Sequence, residues 1–417
     1  MPILPRWAPG PLFVVLALLL GGYDGLHSDL AIQRALVAIR LWPHGWPDDL
    51  VMDHAGAHPG LLPDLLALAV EAFGPAALPG LELALYLGVL GLSGALLGAL
   101  ARALSRPVLP LLLLCALPVA LLGEGRLLHP ALIARTLALP LWLGALLYLV
   151  RGEGPRAGLL AGLTLAVHPA SGLGPALGVL ALAPRALPAL ALGAAPMLPW
   201  ALLGAEPAAP LELLRLRLGH HLDPRDWAAV GWLTLGASVL AWQRGGGPAA
   251  SPRLSRFFHL QLLFIALCAG GTLAGVAPLA RLHGAYAANG LWVLGALSVS
   301  RWPRLALSGG LLLSLLGPLP GGDGAFRLSP PLSPPVDQRP TPRLETDPWR
   351  RVREGEPLWL TLKDGGEIAG GAPFAARWSA RLVAVCGPQV LDPVRPGAER
   401  QGWRRVAARC PATLRRP

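Results

Sequence analysis

Residues 210–227, PLELLRLRLGHHLDPRDW, gather Arg215, Arg217, His220 and His221 into one short run flanked by Glu212, Asp223 and Asp226, with apolar segments on either side. Guanidinium groups suit bidentate contact with oxyanions, so Arg215 and Arg217 are candidates to clamp a phosphate or pyrophosphate, with His220 and His221 assisting. Zinc is disfavoured, because adjacent histidines diverge on a helix and no HxxxH or HxxxE frame completes a ligand set. Bulk lipid repels such side chains, so the run either sits in water at an interface or lines a polar cavity.

Two further groups carry chemical potential. Asp24 and Asp29 stand at the start of a long polar loop, about Tyr23 to Ala77. A carboxylate there can act as general base toward a hydroxyl or amine, or hold a divalent metal; the plainer reading has Asp29 capping the helix that follows it. Arg135 lies one turn inside an apolar segment that begins at His129-Pro130. An arginine within a membrane helix costs about 2.5–3.5 kcal/mol, so it must face protein or a cavity, or snorkel to the interface. It is the best single candidate for a phosphate ligand, and Arg281 with His283 adds a second basic pair.

The elements that must position these groups are apolar helices. The 417 residues have a mean hydropathy of +0.52 and only 14% charged side chains, which points to an all-α polytopic membrane protein. Net charge is +11, yet the basic residues are scattered between apolar spans, so charge encodes topology and not nucleic-acid binding. P-loop, GxGxxG and GxSxG motifs in the right context are missing, which leaves soluble nucleotide chemistry without a signal. Hydropathy predicts about eleven spans, near 7–23, 78–101, 107–123, 131–150, 157–168, 171–184, 187–203, 228–243, 257–274, 286–300 and 304–319. The first is expected to be uncleaved. The pair around 157–184, interrupted by His168-Pro169 and Gly172, reads as two half-helices or a re-entrant hairpin.

Arg102, Arg106, Arg151, Arg156, Arg185, Arg244, Arg253, Arg256, Arg301 and Arg304 share one side with Arg6, Glu153 being the only acid among them, while the other acids collect on the opposite side. The positive-inside rule then places the amino terminus in the cytoplasm and the acidic loops and tail outside. In the first outward loop, Ile32, Leu36 and Ile39 recur at helical spacing with Gln33 and Arg34 on other faces, predicting an amphipathic surface helix. Asp48 and Asp49 mark a turn before a second short helix in GLLPDLLALAVEAFG.

Three parts are expected: a transmembrane domain over 1–320, a Pro-rich linker over 321–346 and a small α/β extracytoplasmic domain over 347–417. In that tail a short helix leads to a strand at Leu358–Leu362, a second strand follows at Leu382–Cys386, and an amphipathic helix carries Trp403, Val406 and Ala407. Cys386 and Cys410 either form a disulfide that staples so small a domain or remain unpaired in a sufficient core. Cys115 and Cys268 read as core residues.

The stretches WPDDLVMD, HPALIARTLALPLWLGALL, AGLLAGLTLAVHP, LRLRLGHHLDPRDW, DPWRRVREGEPLWLTL and FAARWSARLVAV together resemble the GT-C class of integral-membrane glycosyltransferases, or a bacterial multi-pass family related to it. The resemblance implies a protein of the bacterial inner (cytoplasmic) membrane that transfers a sugar from a polyprenyl-phosphate carrier to an extracytoplasmic acceptor. It assigns the base to Asp29 or Asp24 and the carrier phosphate to Arg135, Arg215, Arg217, His220, His221 and Arg281. No metal ligand set is assigned, although a divalent ion is compatible with the acids. Asp24 and Asp29 are five positions apart, whereas the class commonly has an acidic pair directly after the first span. Two rival readings are a transporter or lipid-handling protein, and an inactive relative that organises envelope assembly.

Overall fold

The computed structural model describes residues 5–43, 45, 46, 49, 51, 61–124, 126–198, 211–246, 251–316, 326–336, 344, 345, 350–354, 360, 361, 372–391 and 410. Fifteen longer helices follow one another in the described chain: α1 (Pro9–Gly21), α2 (Ser28–Leu41), α3 (Leu61–Phe73), α4 (Leu78–Ala103), α5 (Val108–Ala116), α6 (Ala134–Arg151), α7 (Gly154–Val167), α8 (Pro169–Leu182), α9 (Leu187–Ala194), α10 (Leu211–Leu222), α11 (Ala229–Arg244), α12 (Pro252–Leu273), α13 (Ala288–Val299), α14 (Pro303–Leu316) and α15 (Ala372–Cys386). Each of the eleven apolar windows overlaps one of these helices. Among the described residues three helices are long and apolar enough to cross a membrane alone: Pro75–Ala103, Ala134–Arg151 and Pro252–Leu273. Others are cut short by their own sequence. The α7 and α8 segments run 14 residues each, about 21 Å of rise against roughly 30 Å of hydrocarbon.

The contacts divide the chain into two units. The first comprises Met1–Asp24, Leu83–Pro196 and Trp227–Arg327. Its helices meet through small residues. A Cβ on Gly94 would stand 2.6 Å from the Pro9 carbonyl oxygen, so α1 and α4 touch almost backbone to backbone. Gly158 and Gly162 of α7 face α9 in the same way: a Cβ on Gly158 would lie 2.6 Å from the Ala186 carbonyl oxygen, and one on Gly162 would overlap that of Leu190. Small residues four apart let the helix backbones approach this closely.

The α7–α8 junction is a single residue. His168 is extended (φ −150°, ψ 93°), and its Nδ1 accepts the Ser171 N–H at 3.1 Å, capping α8 behind Pro169. A Cβ on Gly172 would come within 2.6 Å of Leu165 Cα, so α8 folds back against α7 as a hairpin of half-length helices. At the end of α11, Arg106 Nη2 donates to the Gly245 and Gly246 carbonyls at 3.3 and 3.4 Å, and Arg301 Nη2 to that of Arg244 at 3.3 Å. Cations at a helix C-terminus offset its exposed carbonyls.

The second unit comprises Gly25–Glu82, Met197–Asp226 and Leu328–Pro417. Here α2 differs from a surface helix. Leu30, Ala31, Ile32 and Arg34–Ala38 are all buried, on every face, and Arg34 is 0% exposed. Its guanidinium meets Glu82, also fully buried, through Nε to Oε1 (2.9 Å) and Nη2 to Oε2 (2.7 Å). Nη2 also donates to Ser329 Oγ (2.6 Å) and Nη1 to the Pro330 carbonyl, while the Ser329 hydroxyl donates to Glu82 Oε2 (2.7 Å). Helical spacing puts Arg34 on a face that looks polar only until Glu82, 48 positions away, arrives to pair it.

A second buried pair joins Asp49 to Arg351 (Nε to Oδ2, 2.6 Å), and Asp49 Oδ1 also accepts the Val51 N–H at 3.0 Å. Asp48 lies outside the described residues. Within 326–336 the Pro-rich segment has almost no regular structure, yet it is no free tether: Ser329 and Leu332 are buried and Pro335 packs so close to Gly45 that a Cβ there would overlap it.

Helix α10 lays Leu214, Leu218 and Leu222 against Phe374, Ala375, Trp378, Leu382 and Cys386 of α15. This corrects the expected second strand at Leu382–Cys386. The run is apolar at every position, and such a run does not distinguish strand from buried helix; the recurrence Phe374, Trp378, Leu382, Cys386 at every fourth position decides for helix. The first expected strand survives as a two-residue ladder, β1 (Leu344–Glu345) parallel to β2 (Leu360–Thr361). A single turn at Arg350–Arg353 matches the short helix before it. Trp403, Val406 and Ala407 lie outside the described residues. Cys386 and Cys410 form a disulfide with Cα atoms 4.8 Å apart, and both sulfurs belong to the α10–α15 core.

Candidate functional site

Within the first unit α6, α7, α8, α12 and the start of α13 line a small, part-open pocket of about 20 Å³. Its polar wall is Arg135, Thr164, Ser171, Gln261, Tyr286 and Asn289; its apolar wall includes Leu127, Leu139, Trp142 and Pro175. Arg135 is in the first turn of α6, whose N-cap, Ile133, has no side-chain cap to offer. Ser171 is in the first turn of α8. Two helix N-termini therefore bring their positive dipole ends beside one pocket that also holds an arginine.

The neighbours of Arg135 are aromatic and neutral. Its Cζ lies 5.7 Å from the Tyr286 ring centroid, and its Nε is buried with no hydrogen-bond partner among the described residues. Tyr286 also packs edge-on against His168, at 5.5 Å, and tilted against His283, at 6.1 Å. His168 Nδ1 is 2.8 Å from the Ser171 hydroxyl, and Thr164 donates its hydroxyl to the Leu160 carbonyl at 2.7 Å. Gln261 donates from Nε2 to the Gly174 carbonyl at 3.0 Å, leaving its buried Oε1 without a partner among the described residues. Among the described lining residues Arg135 alone carries a full charge. A half-buried cation facing apolar and aromatic groups beside helix N-termini can receive an anion.

Of the groups singled out from the sequence, Arg135 is at this cavity. Asp24 belongs to the same unit, where its N–H donates to the Pro130 carbonyl at 2.7 Å and its Oδ1 lies 3.3 Å from Arg327 Nε. Arg281 follows the single turn Ala277–Ala280 in that unit, with its Nε buried. His283 adopts the left-handed conformation (φ 50°) in the same connection, and burial pushes its pKa down to about 4. His129 is buried in a turn role: its Nδ1 accepts the Ala131 N–H at 3.3 Å and its carbonyl accepts the Tyr86 hydroxyl at 3.1 Å.

Asp29 belongs to the second unit. The cap of α2 is His27, whose Nδ1 accepts the Asp29 N–H at 3.2 Å, so Asp29 is a first-turn acid and not the cap. Its carboxylate stands 3.9 Å from His27 Nδ1. Arg215, Arg217, His220 and His221 lie on α10. The side chains of Arg215, Arg217 and His220 fall outside the described residues. His221 is half-buried. Asp223 is held by Arg225, with its Oδ2 2.6 Å from Nη2, and this bond raises the Arg225 pKa.

Sequence reading missed Gln261, Tyr286 and Ser171. Gln261 had a signal, as the lone amide between the apolar residues of α12. Tyr286 and Ser171 had none, since their meaning comes from what packs beside them. No known protein family, curated protein or solved structure matches the chain.

Proposed function

We propose that this chain is a multi-pass membrane protein whose cavity takes the phosphate of a lipid-linked substrate, and that it transfers a sugar from a polyprenyl-phosphate carrier to an extracytoplasmic acceptor. The observation that carries the binding half is Arg135: a guanidinium with a buried, unpartnered Nε in a cavity that two helix N-termini also line. Half-helices ending at a site inside a membrane domain present their positive ends to anionic groups. The transfer half rests on the resemblance to GT-C glycosyltransferases, with Asp29 or Asp24 as the base. Eleven short and long apolar helices, an inward amino terminus and an outward tail belong to the same reading.

Binding is tested on the detergent-solubilised chain with undecaprenyl phosphate against undecaprenol. The phosphate should raise the unfolding temperature, the alcohol should not, and Arg135→Gln should remove the difference. Transfer is tested by comparing envelope lipids and glycans in Asp29→Asn and Asp24→Asn strains at matched protein level. Unchanged products in both strains would end the transferase reading. The second reading, a protein that binds or moves an anionic lipid without transfer, is favoured by Arg135 being the one charged side chain on the described cavity wall and by Asp24 being engaged with Arg327.

A further inference from the structure

Arg106 and Arg301 converge on one helix end within the first unit. At the C-terminus of α11, Arg106 Nη2 donates to the Gly245 and Gly246 carbonyls and Arg301 Nη2 to the Arg244 carbonyl, so two guanidiniums share three successive acceptors. A Cβ on Gly246 would stand 3.4 Å from Arg301 Nη1, which puts the second cation against the backbone that the first one binds. A helix C-terminus carries about half a negative charge. It offsets part of one cation, while Arg244 in the last turn adds a third. Among the described residues none of the three meets a carboxylate. Burial and the Arg301 charge both lower the Arg106 pKa, the second through repulsion between like charges. Capping accounts for one arginine here and leaves an excess of positive charge.

Backbone strain sets Arg106 in this place. Helix α4 ends in a reversal in which the Arg106 N–H donates to the Ala101 carbonyl (2.8 Å) and the Ser105 N–H to that of Arg102 (3.1 Å), with Ser105 left-handed at φ 54°. Glycine ordinarily takes that position, and a side chain persists there only where its surroundings over-determine it. Arg301 is backed by Trp302, its Cζ 4.2 Å from the centroid of a ring that is 39% exposed. Exposed leucines follow at once along both helices: Leu109, three positions after Arg106, is 45% exposed, and Leu305, four after Arg301, is 69% exposed. Cations at the ends of apolar helices, an indole beside them and leucines just beyond match a lipid headgroup above its chains. A soluble phosphate would use the cations and leave the leucines in water.

We infer that Arg106 and Arg301, with Arg244 beside them, hold the phosphate of an anionic glycerophospholipid from the surrounding leaflet, with Trp302 at the level of the headgroup and Leu109 and Leu305 against the acyl chains. One lipid phosphate then ties together the α4–α5 connection, the end of α11 and the α13–α14 connection. The site shares no residue with the Arg135 pocket. It rests on the membrane reading above and is independent of the carrier and of sugar transfer.

The test incubates the detergent-solubilised full chain with phosphatidylglycerol that carries a photoactivatable diazirine near the headgroup end of one acyl chain, then maps the label by peptide mass spectrometry. Peptides covering 106–109 and 301–305 should be labelled. Unlabelled phosphatidylglycerol should compete at a concentration about tenfold or more below that of phosphatidylcholine, and inorganic phosphate should not compete. Arg106→Gln/Arg301→Gln should remove the preference, whereas Arg185→Gln/Arg256→Gln, which changes two exposed arginines elsewhere in the unit, should keep it. Equal competition by the two lipids, or label confined to other peptides, overturns the inference on the wild-type chain, where no variant has to fold. A preference that survives in Arg106→Gln/Arg301→Gln, or is lost as fully in Arg185→Gln/Arg256→Gln, also overturns it. Competition by inorganic phosphate at the concentration of the lipid would make this a site for free anions and end the lipid assignment. If the chain takes up neither lipid, the membrane reading itself fails and the inference falls with it.

Discussion

Arg34→Met should be among the most damaging single substitutions in the second unit. Arg34 makes three bonds of 2.6–2.9 Å, two to Glu82 and one to Ser329, together with one to the Pro330 carbonyl. Without it, the Glu82 carboxyl is stranded at 0% exposure with the Ser329 hydroxyl as its donor. Breaking one side of a buried pair costs about 3–5 kcal/mol, and Glu82→Leu should cost a similar amount by stranding the guanidinium. The double variant Arg34→Met/Glu82→Leu strands neither charge. It still leaves Ser329 and the Pro330 carbonyl short of a partner, at about 1–2 kcal/mol. The two singles therefore sum to about 6–10 kcal/mol while the double loses about 1–2, a coupling of several kcal/mol. Denaturant unfolding in detergent reads this through Trp46 and Trp378, both buried in the same unit. A double variant as unstable as the two singles added together would refute the pairing, and with it the account of why α2 is buried on every face.

Three other outcomes follow from the structure. Replacing Cys386 and Cys410 by serine opens a cross-link across 24 positions and should cost about 3 kcal/mol; alkylation of the denatured, unreduced chain should label Cys115 and Cys268 and spare the other two. Burial holds His283 at about 4, below its ordinary value, so the unfolded chain takes up the proton first. Stability should then be level above about pH 6.5 and fall as pH drops toward 4, by no more than about 3 kcal/mol, with His283→Gln flattening the profile of unfolding temperature against pH. Gly162→Val places a branched side chain where the Leu190 carbonyl already stands, so it should unseat α9 from α7 and lower the unfolding temperature sharply, while Gly236→Ala, with open space around its Cβ, should not.

What composition and hydropathy determine here is the set of helices. All eleven apolar windows overlap one, because a long apolar run gains most by burying its backbone in a helix. Proline and glycine also announced the break at His168-Pro169, where a proline cannot continue the preceding helix's hydrogen bonds. The staple between Cys386 and Cys410 was one of two options, which the α10–α15 packing closes.

Partnership was beyond the sequence. Arg34 looked like the polar face of a surface helix, and only tertiary contact supplies Glu82 and Ser329 to bury it. The run RLRLGHHL drew attention through its charges, yet Leu214, Leu218 and Leu222, at every fourth position, are what hold α10 to α15. Arg135 was recognisable as an arginine out of place, since the cost of burying it is a property of the residue. That it faces Tyr286, Ser171 and Gln261 across a cavity is decided by tertiary packing, because those residues come from helices far apart in the chain and none of them carries a charge that would mark it in advance.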